Sequence, residues 1–268
     1  MKSYQDVFAD LKRQGRAALI PFFVIGDPDY DTSLAVVKAA VDGGADVLEL
    51  GIPFSDPIAD GPTIQKADVR AARSGMTVRK ACAFIQEIKK HKDIPIGLLI
   101  YCNLIEQYGV ERFCRDFHEA GVNSVLVADL SIDDADEITG PARAAGLDTV
   151  FMVTPNTAPD RMQRIASKTT GFIYTVSLLG VTGSRETLST AVDGLIHRLK
   201  GLTDVPICVG FGISKPEHAR SIADAGADGV IIGSRLVAMI ESNMAQPQQA
   251  IREITQFLTE VGKTLSAR

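Results

Sequence analysis

Apolar residues fall into two alternating patterns along this chain. Short runs rich in Val, Ile, Leu and Phe start near residues 18, 46, 94, 124, 148, 172, 206 and 228. Between them lie stretches with helical spacing, such as Val110–Ala120 and Pro216–Ala225. The short runs are nearly continuous instead of alternating with polar residues, which predicts strands buried on both faces, as in a parallel sheet. The joint between the two patterns repeats. In Ala39–Leu50, Phe117–Val127, Ala142–Met152 and Ile222–Ile232, a helical stretch ends in Gly and runs straight into an apolar run. Glycine is expected there as the residue that stops a helix in a left-handed conformation.

Eight such units in sequence predict a single-domain α/β fold over residues 1–268, a closed (β/α)8 TIM barrel. An open doubly wound sheet is the alternative, but the Gly-x-Gly-x-x-Gly turn expected after its first strand is absent. The length of 268 residues suits one barrel. Two connections at the C-terminal ends of predicted strands are long: Pro53 to about Met76, and Leu178 to about Thr190. That end is the functional face of such barrels, and long loops there serve as lids or binding loops.

A net charge of −5 gives no electrostatic reason to bind nucleic acid or an anionic membrane. The cysteines, Cys82, Cys102, Cys114 and Cys208, match no metal-site spacing and fit a reducing compartment. The charged N-terminus lacks the apolar core of a signal peptide, and no apolar run is long enough to span a membrane, so a cytoplasmic protein is expected.

Glu49 stands out inside the apolar run Val47-Leu48-Glu49-Leu50. It is either half of a structural ion pair or a proton-transfer group whose pKa is raised by desolvation. The strands supply almost no Lys or Arg, which favours the second reading. The loop that follows carries Asp56 and Asp60, each a turn or cap residue or, for Asp60, a second carboxylate over the barrel mouth. Gly210-Phe211-Gly212 after the seventh predicted strand and Gly233-Ser234-Arg235 after the eighth are placed where barrels hold a phosphate on backbone N–H groups. Ordinary tight turns are the other reading. Tyr101 and Tyr174 either line the mouth or pack. The four His (91, 118, 197, 218) are expected on the surface, away from the mouth. The absence of a strand-end Lys counts against Schiff-base aldolase chemistry.

The run from Leu48 to Gln65, LELGIPFSDPIADGPTIQ, resembles the signature of the tryptophan synthase α subunits. Pro21-Phe22, Tyr101-Cys102-Asn103, Ala128-Asp129, Gly180–Gly183, Gly210–Ile213 and Gly233-Ser234 fall where that family has similar runs. The resemblance implies a lyase that cleaves indole-3-glycerol phosphate to indole and glyceraldehyde 3-phosphate, in tryptophan biosynthesis. It implies Glu49 and Asp60 as the catalytic pair, with Phe22 and Tyr101 flanking the indole and Tyr174 shaping the site. Gly183, Gly212, Gly233 and Ser234 would bind the phosphate, and Thr182 would contact Asp60 when a lid closes. No cofactor or metal is implied. The implied partner is a pyridoxal-phosphate β subunit, in an αββα complex. One departure is Leu178, where many members of the family carry Arg. Competing readings are another phosphate-sugar barrel of tryptophan or histidine biosynthesis, and a chain acting chiefly to gate a partner.

Overall fold

A computed structural model describes residues 1–176, 185–210 and 212–266. Its strands are β1 (Ala18–Val24), β2 (Leu48–Gly51), β3 (Ile96–Ile100), β4 (Ser124–Val127), β5 (Asp148–Thr149), β6 (Phe151–Val153), β7 (Ile173–Val176), β8 (Ile207–Gly210) and β9 (Gly229–Ile232). All the ladders between them are parallel, in the order β5-β4-β3-β2-β1-β9-β8-β7-β6. The two ends of that order are one predicted strand, interrupted at Val150. Its amide still bonds the Val125 carbonyl at 3.0 Å, and Gly171 bonds Thr149 on the other side at 3.2 Å. The ring is therefore completed by the chain itself, which makes the sheet a TIM barrel and excludes the open alternative.

The four glycine joints behave as the repeat requires: Gly44, Gly121, Gly146 and Gly226 have φ of +106°, +107°, +87° and +99°. A Cβ there would face a steric penalty, so glycine ends each helix and turns the chain into the next strand. Most strand residues are buried and none is exposed, because one face fills the ring and the other packs on helices. The base of the barrel is closed by helix Tyr4–Arg13, which starts in a Ser3/Asp6 capping box. Tyr4 enters the ring from below, where its hydroxyl lies 2.8 Å from Ser124 Oγ.

Both long connections are shorter than the sequence implies. Helix Pro62–Arg73 occupies half of the first, and helix Arg185–Lys200 begins five residues before Thr190. No helix among the described residues is long and apolar enough to cross a membrane.

Candidate active site

Strand register sets the first carboxylate. β2 runs between β1 and β3, and Glu49 pairs with Phe22 on one side and Gly97 on the other. It is 2% exposed and its Oε2 has no hydrogen-bond partner. Its charge acts on Tyr174, Cys208 and Tyr4, which enter the ring from β7, β8 and the basal helix, so the carboxyl points into the barrel. Burial first, and then the nearby Asp60, push the Glu49 pKa up to about 8. No cation contributes, so the ion-pair reading of Glu49 falls. At neutral pH this group holds a proton that it can give up.

Asp60 is set by Tyr101. The Tyr101 hydroxyl donates to Asp60 Oδ2 at 2.6 Å and accepts the Ala59 amide at 3.1 Å. The Tyr101 ring stacks on Phe54, with centroids 4.9 Å apart. The cap reading of Asp60 also falls: helix Pro62–Arg73 has Gly61 at its N-cap, without a side-chain cap bond. Burial raises the Asp60 pKa, and the Tyr101 hydrogen bond opposes that rise. Phe54 is half-buried against Tyr101, while Ile58 on the same loop stands 81% exposed.

Above these residues, at the C-terminal mouth, lies a cavity of about 310 Å³. Of the sequence-derived site residues, Phe22, Asp60, Tyr174, Gly212, Gly233 and Ser234 line it; Glu49 and Tyr101 are not in the lining but are joined to it, Glu49 by pairing with Phe22 in the sheet and Tyr101 by its bond to Asp60. Most of the rest of the lining is apolar, from Ile64, Leu99, Met152, Val176 and Ile231. Glycines shape the wall. A Cβ at Gly210 would lie 2.7 Å from Tyr174 Cζ, one at Gly51 would lie 2.9 Å from Phe22, and one at Gly233 would lie 3.1 Å from Phe22. Both rings therefore hold their places because those residues are glycine. Gly212 adopts φ +68°. Helix Ser234–Ser242 opens on the cavity; the Leu236 and Val237 amides bond the Gly233 carbonyl at 2.8 and 3.1 Å, which leaves the Ser234 and Arg235 amides at its start without a helical carbonyl partner. Arg235 is the single Lys or Arg in the lining among the described residues.

Thr182, Gly183 and Leu178 lie outside the described residues. His91 and His197 are exposed as expected, but the expectation needs correcting for the other two histidines. His218 Nδ1 accepts the amide of Ser214, a lining residue, at 3.4 Å, so this ring backs the mouth because its helix begins just beyond β8. His118 is half-buried and its Nδ1 is sealed without a partner. Among the described residues no group of three or more His, Cys, Asp or Glu is placed to hold a metal ion. The sequence reading also passed over Asp68, a buried carboxyl on helix Pro62–Arg73 that accepts the Phe54 amide at 3.4 Å.

A closed parallel barrel with an apolar, carboxylate-edged cavity at its C-terminal mouth defines a TIM-barrel protein with a small-ligand site where such barrels carry it. The chain belongs to the tryptophan synthase alpha chain family, whose description it matches over residues 8–266. It is thus a lyase of tryptophan biosynthesis. The tryptophan synthase alpha chain of Methanoregula boonei is 43% identical over 98% of both chains. That of Methanothermobacter thermautotrophicus is 45% identical over 95% of this chain and 93% of its own. Among solved structures, tryptophan synthase of Mycobacterium tuberculosis superposes with a TM-score of 0.90 at 33% identity, covering 100% of each chain. The tryptophan synthase α2β2 complex of Pyrococcus furiosus gives 0.85 at 40% identity, over 92% of this chain and 98% of that one.

Proposed function

We propose that the chain cleaves indole-3-glycerol phosphate into indole and glyceraldehyde 3-phosphate, with Glu49 and Asp60 as the catalytic carboxylates. The observation that carries this reading is Glu49: a sealed carboxyl with an unpartnered oxygen, protonated at neutral pH, paired in the sheet with Phe22 and close enough to feel Asp60, both of which line the apolar cavity.

Breaking the bond between indole C3 and the glycerol carbon needs a proton at C3, giving an indolenine that accepts the bonding electrons. It also needs removal of the proton from the adjacent hydroxyl as that carbon becomes the aldehyde. Glu49 gives the first proton and takes the second, so its protonation is restored. Asp60 accepts the indole N–H and balances the positive charge that builds on that nitrogen. Phe22 and Tyr174 bound the indole within the cavity, and Tyr101 holds Asp60. Gly183, Gly212, Gly233 and Ser234 take the phosphate, and Thr182 contacts Asp60 when the lid closes. The amides at the start of helix Ser234–Ser242 hold this anion where a chain of net charge −5 offers no global attraction. Positioned acid–base catalysis supplies about 10²–10⁴ in rate, and preorganised charge and orientation supply the rest.

The partner in this reading is a pyridoxal-phosphate β subunit, in an αββα assembly. The support is the α2β2 complex of the Pyrococcus furiosus relative and the exposed Ile58 beside Asp56 on the loop that ends at Asp60. A partner gripping that loop would act on Asp60 directly, and such coupling is reciprocal in binding energy. The reading also takes residues 1–268 as one domain working in the cytoplasm, in keeping with four free cysteines. The deciding experiment follows indole release from indole-3-glycerol phosphate by the isolated chain, with and without a β subunit. Turnover that rises with the β subunit supports the reading, and no indole in either case overturns it.

A further inference from the structure

Helix Pro62–Arg73 buries Ile64, Ala67, Asp68 and Ala71, a stripe at helical spacing in which one of four positions is a carboxylate. Asp68 is 5% exposed. A buried carboxyl is costly unless something answers it, so its surroundings are informative. Lys66 and Arg70, the nearest cations in sequence, face elsewhere, since residues two apart on a helix do not share a face; Lys66 pairs with Glu241 at 3.3 Å. Arg70 is held by Asp27 at 2.6 and 3.0 Å and by Glu241 at 3.5 Å. The groups that face Asp68 from other elements add no positive charge: Asp60 from the loop after β2, Asp27 from the loop after β1, and the Tyr101 hydroxyl from the end of β3. Burial, and then Asp60, push its pKa up to about 7. One favourable contact answers this cost. Asp68 Oδ1 accepts the Phe54 amide at 3.4 Å, the long end of a hydrogen bond, while Oδ2 is sealed without a partner.

That contact leads to the proposed chemistry in three steps. The Phe54 backbone is held by Asp68, the Phe54 ring stacks on Tyr101, and the Tyr101 hydroxyl holds Asp60. We propose that Asp68 is a positioning residue that latches the loop after β2 and thereby presents Asp60 to the cavity. The latch is half engaged: one oxygen holds Phe54 at a long distance, and the other is free for a second loop amide when the loop tightens over a ligand. The inference rests on the assignment of Asp60 as a catalytic carboxylate.

The test compares the full chain with Asp68→Ala and Asp68→Asn by hydrogen exchange over residues 53–60 and by cleavage kinetics. Asp68→Ala removes the acceptor. Exchange across 53–60 then speeds by about 10-fold, kcat falls by about 10-fold, and KM stays within about twofold, because the loop fluctuates and Asp60 is displaced. Asp68→Asn keeps an oxygen for the Phe54 amide, so exchange stays near wild type, while an ionisation near pH 7 disappears from the kcat profile. Asp68→Ala with wild-type exchange and kcat overturns the latch, and so does Asp68→Asn loosening the loop as much as Asp68→Ala. If Asp68→Ala does not fold, Asp68→Asn decides: a retained ionisation near pH 7 or a loosened loop overturns the proposal. A wild-type chain that releases no indole overturns the proposed reaction instead, while the exchange result still judges the latch.

Discussion

The Tyr101 hydroxyl donates a 2.6 Å hydrogen bond to Asp60 and is the group that opposes the rise in Asp60 pKa caused by burial. Tyr101→Phe keeps the stack on Phe54 but removes this bond. The Asp60 pKa then rises further, so the acid limb of the kcat/KM profile moves to higher pH. At neutral pH, kcat/KM falls by about 10-fold, the scale of one lost hydrogen bond to a charged group. An acid limb that stays in place shows that Tyr101 does not tune Asp60.

Burial of Glu49 also has a consequence for stability. An unfolded chain releases this proton near pH 4.5, whereas the folded chain keeps it until about pH 8. Between those values the folded state binds more protons, so stability present at low pH is lost as pH rises, by about 1.4 kcal/mol per pH unit for one such group. Asp68, near 7, acts in the same direction. Glu49→Gln does not titrate. Its Tm should therefore gain on that of the wild type between pH 5 and pH 8, by about 2–4 °C for each kcal/mol. A Tm difference independent of pH contradicts the buried, protonated state.

Phosphate and indole binding should separate at two glycines. Gly212 holds φ +68° in the loop after β8, so Gly212→Val should raise KM for indole-3-glycerol phosphate at least about 10-fold and weaken glyceraldehyde 3-phosphate, with free indole binding unchanged. Gly233 also lies under Phe22, 3.1 Å from a Cβ at that position. Gly233→Val should therefore weaken free indole as well. Equal effects of the two substitutions on indole would misplace the phosphate site.

For the partner, Ile58 and Asp56 are the informative positions, because both are exposed and neither carries the Asp60 geometry. Ile58→Asp and Asp56→Ala should each reduce activation by a β subunit several-fold, while the isolated chain's turnover changes by less than about twofold. Phe54→Ala should impair the isolated chain too, because it removes the stack on Tyr101. Unchanged β-subunit affinity in both Ile58→Asp and Asp56→Ala excludes this loop as the docking surface.

Most of the barrel was legible because its signals are local. A glycine at each helix-to-strand joint and an unbroken apolar run after it specify the unit, and the observed strands start within about three residues of the expected positions. Glu49 was legible for the same reason, as one carboxylate in an apolar run. The interruption at Val150 was not, since every residue there suits a strand. Asp68 carried a readable signal, a carboxylate in the stripe Ile64-Ala67-Asp68-Ala71 on the helix that begins near Pro62, but spacing alone does not say that this stripe is the buried one. The partner of Asp60 could not be read, because a cap and a Tyr101 acceptor look alike until the fold brings residues 60 and 101 together.

The central claim is that the sealed Glu49 carboxyl moves the protons, and Glu49→Gln tests it most directly, since the side chain keeps its size and loses its acid. Turnover of indole-3-glycerol phosphate should fall by at least about 10²-fold, with KM and the binding of free indole largely unchanged. Turnover within about threefold of the wild type would contradict the assignment, because an amide can neither deliver the proton to indole C3 nor recover it from the hydroxyl.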